Sequence, residues 1–141
     1  MSTAFVFPGQ GAQSVGMGRD LYESSATARE IFELADATLG FALMRLCFEG
    51  PEEALTATEN AQPALLTVSV ALLASLADSV DVSSVVGRRS SVVAGHSLGE
   101  YSALVAAGAL DFPTALRLVR RRGELMSEAR EGGMAAIIGI D

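Results

Sequence analysis

One hexapeptide constrains the fold of this chain more than any other segment. Gly95-His96-Ser97-Leu98-Gly99-Glu100 follows the apolar run Ser91-Val92-Val93-Ala94 and precedes a helix-forming segment. A glycine–x–serine–x–glycine sequence in that context is typical of a nucleophile elbow, a sharp turn that presents a serine between a buried strand and a helix. Backbone N–H groups at the start of that helix could hold an oxyanion beside the hydroxyl. The segment therefore predicts an α/β fold with Ser97 as the candidate nucleophile.

The chain lacks an evident base for that serine. His96 is the only histidine among 141 residues, and a serine hydroxyl usually needs a histidine to take its proton. Because adjacent side chains point in different directions both at a strand end and in a first helical turn, His96 is badly placed to serve Ser97. We expect His96 to be a partly buried residue bonded to nearby backbone, and the base to lie outside these residues.

Composition argues against several classes of function. The net charge of −7 and the pI near 4.6 disfavour nucleic acid or an anionic membrane as a partner. All ten basic residues are arginine, so the chain has no lysine for a Schiff base, a pyridoxal phosphate anchor or a P-loop. A single cysteine and a single histidine disfavour a disulfide framework and a zinc site. No cofactor or metal is predicted, and Cys47 is interpreted as a small buried hydrophobe.

The sequence also carries no predicted export or membrane signal. The first residues lack the basic n-region of a signal peptide. The longest apolar stretch, residues 64–77, contains Thr67, Ser69 and Ser75, and it is too short and too interrupted to predict a bilayer span. We therefore expect a cytoplasmic protein.

Glycine and proline breaks divide the chain into predicted elements. Pro63 is expected early in a deeply buried helix, and Asp111 is expected to cap the last helix. The first two strands look like inner strands of a parallel sheet, buried on both faces, and a sheet usually has more strands than these. Strands are predicted over 4–7, 91–94 and 134–140, helices over 19–39, 41–48, 52–58, 63–78, 98–107 and 111–130, and a loop over 80–89.

A glycine-rich loop follows the first predicted strand. Between Gly9 and Gly18 the spacing fails the dinucleotide pattern, because Ser14 stands where the third glycine of G-x-G-x-x-G belongs. Nucleophile-elbow proteins take one oxyanion donor from the residue after the serine and another from a loop after a different strand. Leu98 and the loop at Gln10 fit those two positions.

Three consecutive arginines occupy the last predicted helix. Because successive helical residues are about 100° apart, Arg120, Arg121 and Arg122 cannot all point the same way. One of them must lie near the edge of the apolar stripe, from which it could point inward, although spacing alone does not identify it. Glu124 lies four residues after Arg120 and could pair with it on an exposed face.

Five segments carry a combined pattern that is more specific than the elbow alone. They are Phe5-Val6-Phe7-Pro8-Gly9-Gln10-Gly11-Ala12-Gln13, Asn60-Ala61-Gln62-Pro63-Ala64-Leu65-Leu66, Gly95-His96-Ser97-Leu98-Gly99-Glu100-Tyr101-Ser102-Ala103-Leu104, Arg122-Gly123 and Gly133-Met134-Ala135-Ala136-Ile137-Ile138-Gly139. Together they resemble the malonyl-CoA:acyl carrier protein transacylase family; similar acyltransferase domains occur in polyketide and fatty acid synthases. The resemblance implies a three-layer α/β-hydrolase-like large subdomain with a parallel sheet, incomplete here, over residues 1–131. It further implies that residues 132–141 begin a truncated ferredoxin-like small subdomain.

The same resemblance implies a ping-pong acyl transfer in fatty acid or polyketide biosynthesis. Ser97 would take the malonyl group from coenzyme A, a substrate rather than a cofactor, and pass it to the phosphopantetheine thiol of acyl carrier protein. The N–H groups of Gln10 and Leu98 would hold the oxyanion, and Arg122 would bind the free carboxylate of malonate through its planar guanidinium. The family's histidine lies in a C-terminal portion absent here, so this chain alone is expected to be inactive.

Two other functions remain open at this point. The elbow would also suit a serine hydrolase or thioesterase, in which an acid and a histidine follow the serine. Alternatively, the chain could be a non-catalytic fragment that binds an acidic carrier protein. Its docking surface would be a basic patch made of Arg88, Arg89, Arg117, Arg120 and Arg121.

Overall fold

The computed structural model describes residues 3–79 and 91–129, together with Gly132 and Gly139. The predicted strand over 134–140 and the predicted loop over 80–89 lie outside this range, and the proposed division at residues 131 and 132 stays a prediction. The described residues form strands β1 (Thr3–Phe7) and β2 (Ser91–Gly95) and helices α1 (Arg19–Ser24), α2 (Ala26–Leu39), α3 (Leu43–Glu49), α4 (Glu52–Thr56), α5 (Thr58–Ser79), α6 (Gly99–Ala106) and α7 (Phe112–Glu128).

The two strands pair in parallel, as predicted, with Phe7 opposite Gly95. The expectation that both faces of the sheet are buried is wrong for the described residues. One face, with Phe5 and Phe7, lies against the helices, whereas Val6 is 74% and Val92 59% exposed on the other. Apolar residues line both faces of the sheet, but the described helices cover only one of them. The apolar sequences of the two strands therefore predicted more burial than the structure has.

The single helix predicted over residues 19–39 is divided in two. Ser25 adopts an extended conformation between α1 and α2 (φ −125°, ψ 125°), and its hydroxyl accepts a hydrogen bond from the Ala28 N–H. A serine cap of this kind satisfies an N–H group that would otherwise have no partner at the start of α2. The apolar spacing on both sides of Ser25 concealed the break, whereas the end of α2 at Gly40 (φ 74°) is as predicted.

Helix α5 begins at Thr58, earlier than the predicted start near Pro63, so the proline lies inside the helix. Proline has no N–H to donate to the carbonyl four residues before it, which here belongs to Glu59. The Nη1 atom of Arg120 donates to that carbonyl at 3.0 Å. A side chain from α7 therefore supplies the hydrogen bond that Pro63 cannot make, which explains how the helix continues through the proline.

Helix α5 is also the centre of the core. Its buried residues pack against α2 and α7, and the fully buried members of this core include Leu43, Leu55, Leu66, Leu116 and Val119. The helix is long and apolar enough to match a membrane span, but half of that stretch is buried inside the fold. Burial against neighbouring helices accounts for the apolar character of α5, in agreement with the predicted core helix.

Candidate active site

The elbow predicted at Ser97 is present between β2 and α6. Ser97 has a φ of 52°, a left-handed conformation that costs a non-glycine residue free energy and is typical of strained functional turns. A Cβ atom on Gly95 would collide with the carbonyl of Gly99, and a Cβ on Gly99 would collide with the carbonyl of Phe7. Both glycines are therefore needed because strand, turn and helix approach each other closely.

Arg122 is the arginine that reaches the candidate nucleophile. Its Nη2 atom donates to Ser97 Oγ at 2.9 Å, and its Nη1 atom donates to Gln62 Oε1 at 2.7 Å. Gln62 is fully buried, and its Nε2 atom lies 3.3 Å from Met126 Sδ. The side chains of three separate elements, the elbow, α5 and α7, therefore meet at one point.

Close packing between α5 and α7 makes this reach possible. A Cβ atom on Gly123 would lie 2.6 Å from the Glu59 Cα atom, so no larger residue fits there without displacing a backbone. Next to this contact, Arg120 bonds to the Glu59 carbonyl and to Asn60 Oδ1 at 2.6 Å, and stacks over the Phe41 ring at 5.1 Å. Two of the three consecutive arginines thus point inward, where the sequence predicted one.

The third arginine lies on the surface with acidic partners. Arg121 contacts Glu124 at 3.3 Å and Glu128 at 3.9 Å, while Glu124 also accepts from Arg120 Nε at 2.9 Å. The predicted pairing of Arg120 with Glu124 is therefore present, although Arg120 itself is partly buried. Hydrogen bonds from Arg120 and then Arg121 hold the pKa of Glu124 below its ordinary value.

These contacts remove support for the basic docking patch. Arg120 is turned into the fold, and Arg121 is paired with acidic residues. Arg117 is exposed, with a bond to Thr114 Oγ1 at 3.3 Å. Arg88 and Arg89 lie outside the described residues. Within the described part of the chain, the patch is therefore reduced to two outward arginines, Arg117 and the acid-paired Arg121, and we do not retain it as a docking surface.

The loop after β1 lies directly beside the elbow. A Cβ atom on Gly9 would come within 2.8 Å of the His96 carbonyl, so the two backbones are in contact. The next residue, Gln10, donates through Nε2 to Thr58 Oγ1 at 3.2 Å. Among the described residues, the backbone N–H groups of Gln10 and Leu98 have no hydrogen-bond acceptor. The assignment of these two N–H groups as oxyanion donors stays a prediction.

His96 and Cys47 are the remaining residues whose surroundings the sequence predicted. His96 is exposed, whereas we expected it to be partly buried; its Nδ1 atom lies beside Gly9, in the loop after β1. Cys47 is fully buried, as expected. Burial, with a smaller effect of the nearby Asp36 charge, raises the pKa of its thiol to about 12.

Gln62 is a site residue that the sequence motifs did not single out. The signal was available, because a glutamine that precedes a proline within an apolar helix is an unusual buried polar residue. Its partner could not be identified from spacing, since Arg122 lies 60 positions away in the sequence.

The chain is similar in sequence and in structure to known proteins. The malonyl CoA-acyl carrier protein transacylase of Bacillus subtilis is 55% identical to this chain over an alignment of 141 positions, which covers 98% of this chain and 42% of the relative. The structure of acyl-carrier-protein-S-malonyltransferase from Bartonella henselae superposes with a TM-score of 0.83 at 46% identity, covering 91% of this chain and 40% of that one.

A third similar structure contains a partner. It is a type II polyketide acyl-carrier protein in complex with its malonyl-transacylase, at a TM-score of 0.77 and 46% identity over 91% of this chain and 40% of that one. The chain therefore spans less than half the length of the relatives it matches. The acyl transferase domain family model matches residues 4–139. This chain belongs to the acyl transferase domain family, and the α/β fold and the family resemblance predicted from its motifs are confirmed.

Proposed function

We infer that this chain supplies the nucleophile, the oxyanion donors and the carboxylate-binding arginine of a malonyl-CoA:acyl carrier protein transacylase. The observation that carries this inference is the 2.9 Å hydrogen bond from Arg122 Nη2 to Ser97 Oγ. An acyl group bonded to that oxygen would begin beside a guanidinium, the side chain best suited to grip a carboxylate. The names of the relatives, which are malonyl transacylases, support the same substrate.

The reaction would proceed in two acyl transfers, from a thioester to the serine oxygen and from the serine ester to a second thiol. Ser97 Oγ attacks the thioester carbonyl of malonyl-CoA and loses its proton to a base, and the carbon–sulfur bond then breaks to release the thiol of coenzyme A. The phosphopantetheine thiol of acyl carrier protein attacks the resulting malonyl ester and regenerates the serine hydroxyl. The N–H groups of Gln10 and Leu98 would hold the negative oxygen that forms in each step. The base is expected in the C-terminal portion that the relatives carry.

The position of Arg122 favours a malonyl group over an uncharged acyl group on Ser97. An acetyl group on Ser97 would leave the guanidinium without an anionic partner, and a malonyl group would provide one. A half-buried charge that loses its partner is costly, so the arginine discriminates between the two acyl groups. A general serine hydrolase or thioesterase would gain nothing from a cation at this point.

The proposed acyl transfer also indicates a partner, acyl carrier protein, and a cytoplasmic location. Acyl carrier protein as the acceptor is supported by the complex of a similar transacylase with its carrier protein. A cytoplasmic location suits an enzyme whose two substrates, coenzyme A thioesters and carrier proteins, are water-soluble. Similar proteins include a polyketide transacylase as well as the Bacillus subtilis relative. Fatty acid and polyketide biosynthesis both consume malonyl-acyl carrier protein.

Intact-mass spectrometry tests the proposal. The full-length protein, meaning this chain together with the C-terminal portion its relatives carry, is incubated with malonyl-CoA. We expect one added malonyl group, mapped to the peptide that contains Ser97, and none in the Ser97→Ala variant. Ser102→Ala, a buried serine of α6 outside the site, is the matched control and should still be acylated. An adduct that survives Ser97→Ala would refute the assignment.

A further inference from the structure

Gln62 is the buried polar residue that lies nearest to the candidate site. Its side chain is 0% exposed, and both of its polar atoms have partners. Burying an amide is unfavourable unless its hydrogen bonds are made. An apolar residue at this position would suit the core of α5 better, so the amide points to a role toward Arg122.

We propose that Gln62 is a positioning residue that aims Arg122 at the acyl group and thereby sets the preference for acyl groups that carry a carboxylate. This proposal rests on the proposed function. The contact is direct, because Gln62 Oε1 accepts from Arg122 Nη1 at 2.7 Å while Arg122 Nη2 lies 2.9 Å from Ser97 Oγ. One end of the guanidinium is thus held by the core, and the other faces the nucleophile.

An unrestrained arginine would bind carboxylate less well. Its side chain has many rotamers, and ordering them on binding costs free energy that a restrained side chain has already lost. Gln62 can restrain Arg122 because Gln62 is itself fixed. It lies in the turn of α5 where Arg120 bonds to the Glu59 carbonyl, and Gly123 brings α7 against that turn.

The Gln62 side chain is uncharged, and this is essential to its role. A glutamine oxygen orients the guanidinium without cancelling its positive charge, so the full charge remains for the substrate. A glutamate at the same position would form an ion pair with Arg122 and compete with malonate for it. Glutamine and glutamate have nearly the same shape. Comparing the wild type with Gln62→Glu therefore tests the effect of charge at this position with little change in packing.

The test compares steady-state kinetics of four forms of the full-length protein: wild type, Gln62→Leu, Gln62→Glu and Thr67→Val. Each is assayed with malonyl-CoA and with acetyl-CoA as donors to acyl carrier protein. Thr67 is a matched control, because it is buried in the same helix and its hydroxyl bonds to the Pro63 carbonyl, away from Arg122. Thermal unfolding of every form reports the purely structural effect.

We expect Gln62→Leu to lower kcat/KM for malonyl-CoA by roughly tenfold or more, largely through KM, because a hydrogen bond to a charged group is lost. Gln62→Glu should lower it further at similar thermal stability. Acetyl transfer should change by less than about threefold in both, so the malonyl preference falls. Thr67→Val should leave that preference as in the wild type.

Two results would overturn the proposal. The first is an equal loss for both donors in the Gln62 variants, as a merely structural residue would give. The second is wild-type malonyl kinetics in Gln62→Glu. Failure of the proposed function has a different signature, because the wild type itself would then form no malonyl adduct on Ser97.

Discussion

The guanidinium of Arg120 donates to the backbone carbonyl of Glu59, the carbonyl that Pro63 leaves without its helical partner. Arg120 is therefore part of the architecture of α5, although it belongs to α7. The same turn carries Gln62, so a structural arginine and the candidate site are joined through four residues of helix.

We predict that Arg120→Ala destabilises the full-length protein by about 1–3 kcal/mol, because the Glu59 carbonyl and the Asn60 side chain lose a charged donor in a partly buried place. Urea denaturation measures the change in the free energy of unfolding. Arg117→Ala on the exposed face of α7 is the matched control and should change stability by less than about 0.5 kcal/mol. Equal effects of the two substitutions would contradict the role of Arg120.

Replacing Arg122 should alter donor preference more than folding. We expect Arg122→Ala to lower kcat/KM for malonyl-CoA by roughly a hundredfold, since a charge-assisted contact to the carboxylate is lost, and to change acetyl transfer much less. Arg122→Lys keeps the charge without the planar fork, so its kcat/KM for malonyl-CoA should lie between those of the wild type and of Arg122→Ala. The neighbouring Arg121→Ala serves as control. If malonyl and acetyl transfer fell equally in Arg122→Ala, the carboxylate role would be wrong.

The left-handed backbone at position 97 limits which nucleophiles fit there. Ser97→Thr keeps a hydroxyl but adds a branched Cβ at a φ of 52°, which strains the turn. We expect acylation by malonyl-CoA to slow by roughly tenfold or more in this variant. Ser97→Cys has no added branch and should still form a covalent malonyl thioester. Rapid acylation of the threonine variant, followed by intact mass, would show that the elbow is not strained.

The thiol of Cys47 should report unfolding. Its pKa of about 12 and its complete burial keep it protonated and inaccessible in the folded protein, and only the thiolate reacts with alkylating reagents. At pH 8 we expect iodoacetamide to label Cys47 slowly in buffer and rapidly in urea, as measured by peptide mapping. Fast labelling of the native protein would contradict this burial.

The same shift has a consequence for pH. The pKa of Cys47 is higher in the folded state than in the unfolded chain, where a thiol ionises near about 8.5. The folded state therefore binds the proton more tightly, and its stability should decline as the pH rises from about 8.5 toward 12. Cys47→Ala should weaken that decline, although the smaller side chain leaves a cavity that lowers stability at every pH.

Local patterns in the sequence were enough to predict the elbow, the glycine-rich loop after the first strand and the cap of the last helix. Each depends on residues close together in the chain. Asp111, for example, accepts from the Thr114 N–H at 2.9 Å as expected. The motif at Ser97 was predictable for the same reason, because glycines two residues before and after it permit the tight turn.

Features that depend on distant residues could not be predicted in this way. The start of α5 at Thr58 requires Arg120 to bond to the carbonyl that Pro63 leaves free, and nothing near Pro63 in the sequence reveals that donor. Which of the three consecutive arginines reaches Ser97 likewise depends on the contact of Gly123 with α5. The break at Ser25 was missed for a different reason, since its apolar flanks continue the helical spacing.

The outward face of the sheet has a practical consequence. With Val6 and Val92 uncovered, copies of this segment concentrated in water would adhere to one another along that apolar surface. Preparing these residues alone should therefore give inclusion bodies or a dye-binding, polydisperse sample. Supplying a complementary polypeptide that shields the two valines should restore a well-behaved solution.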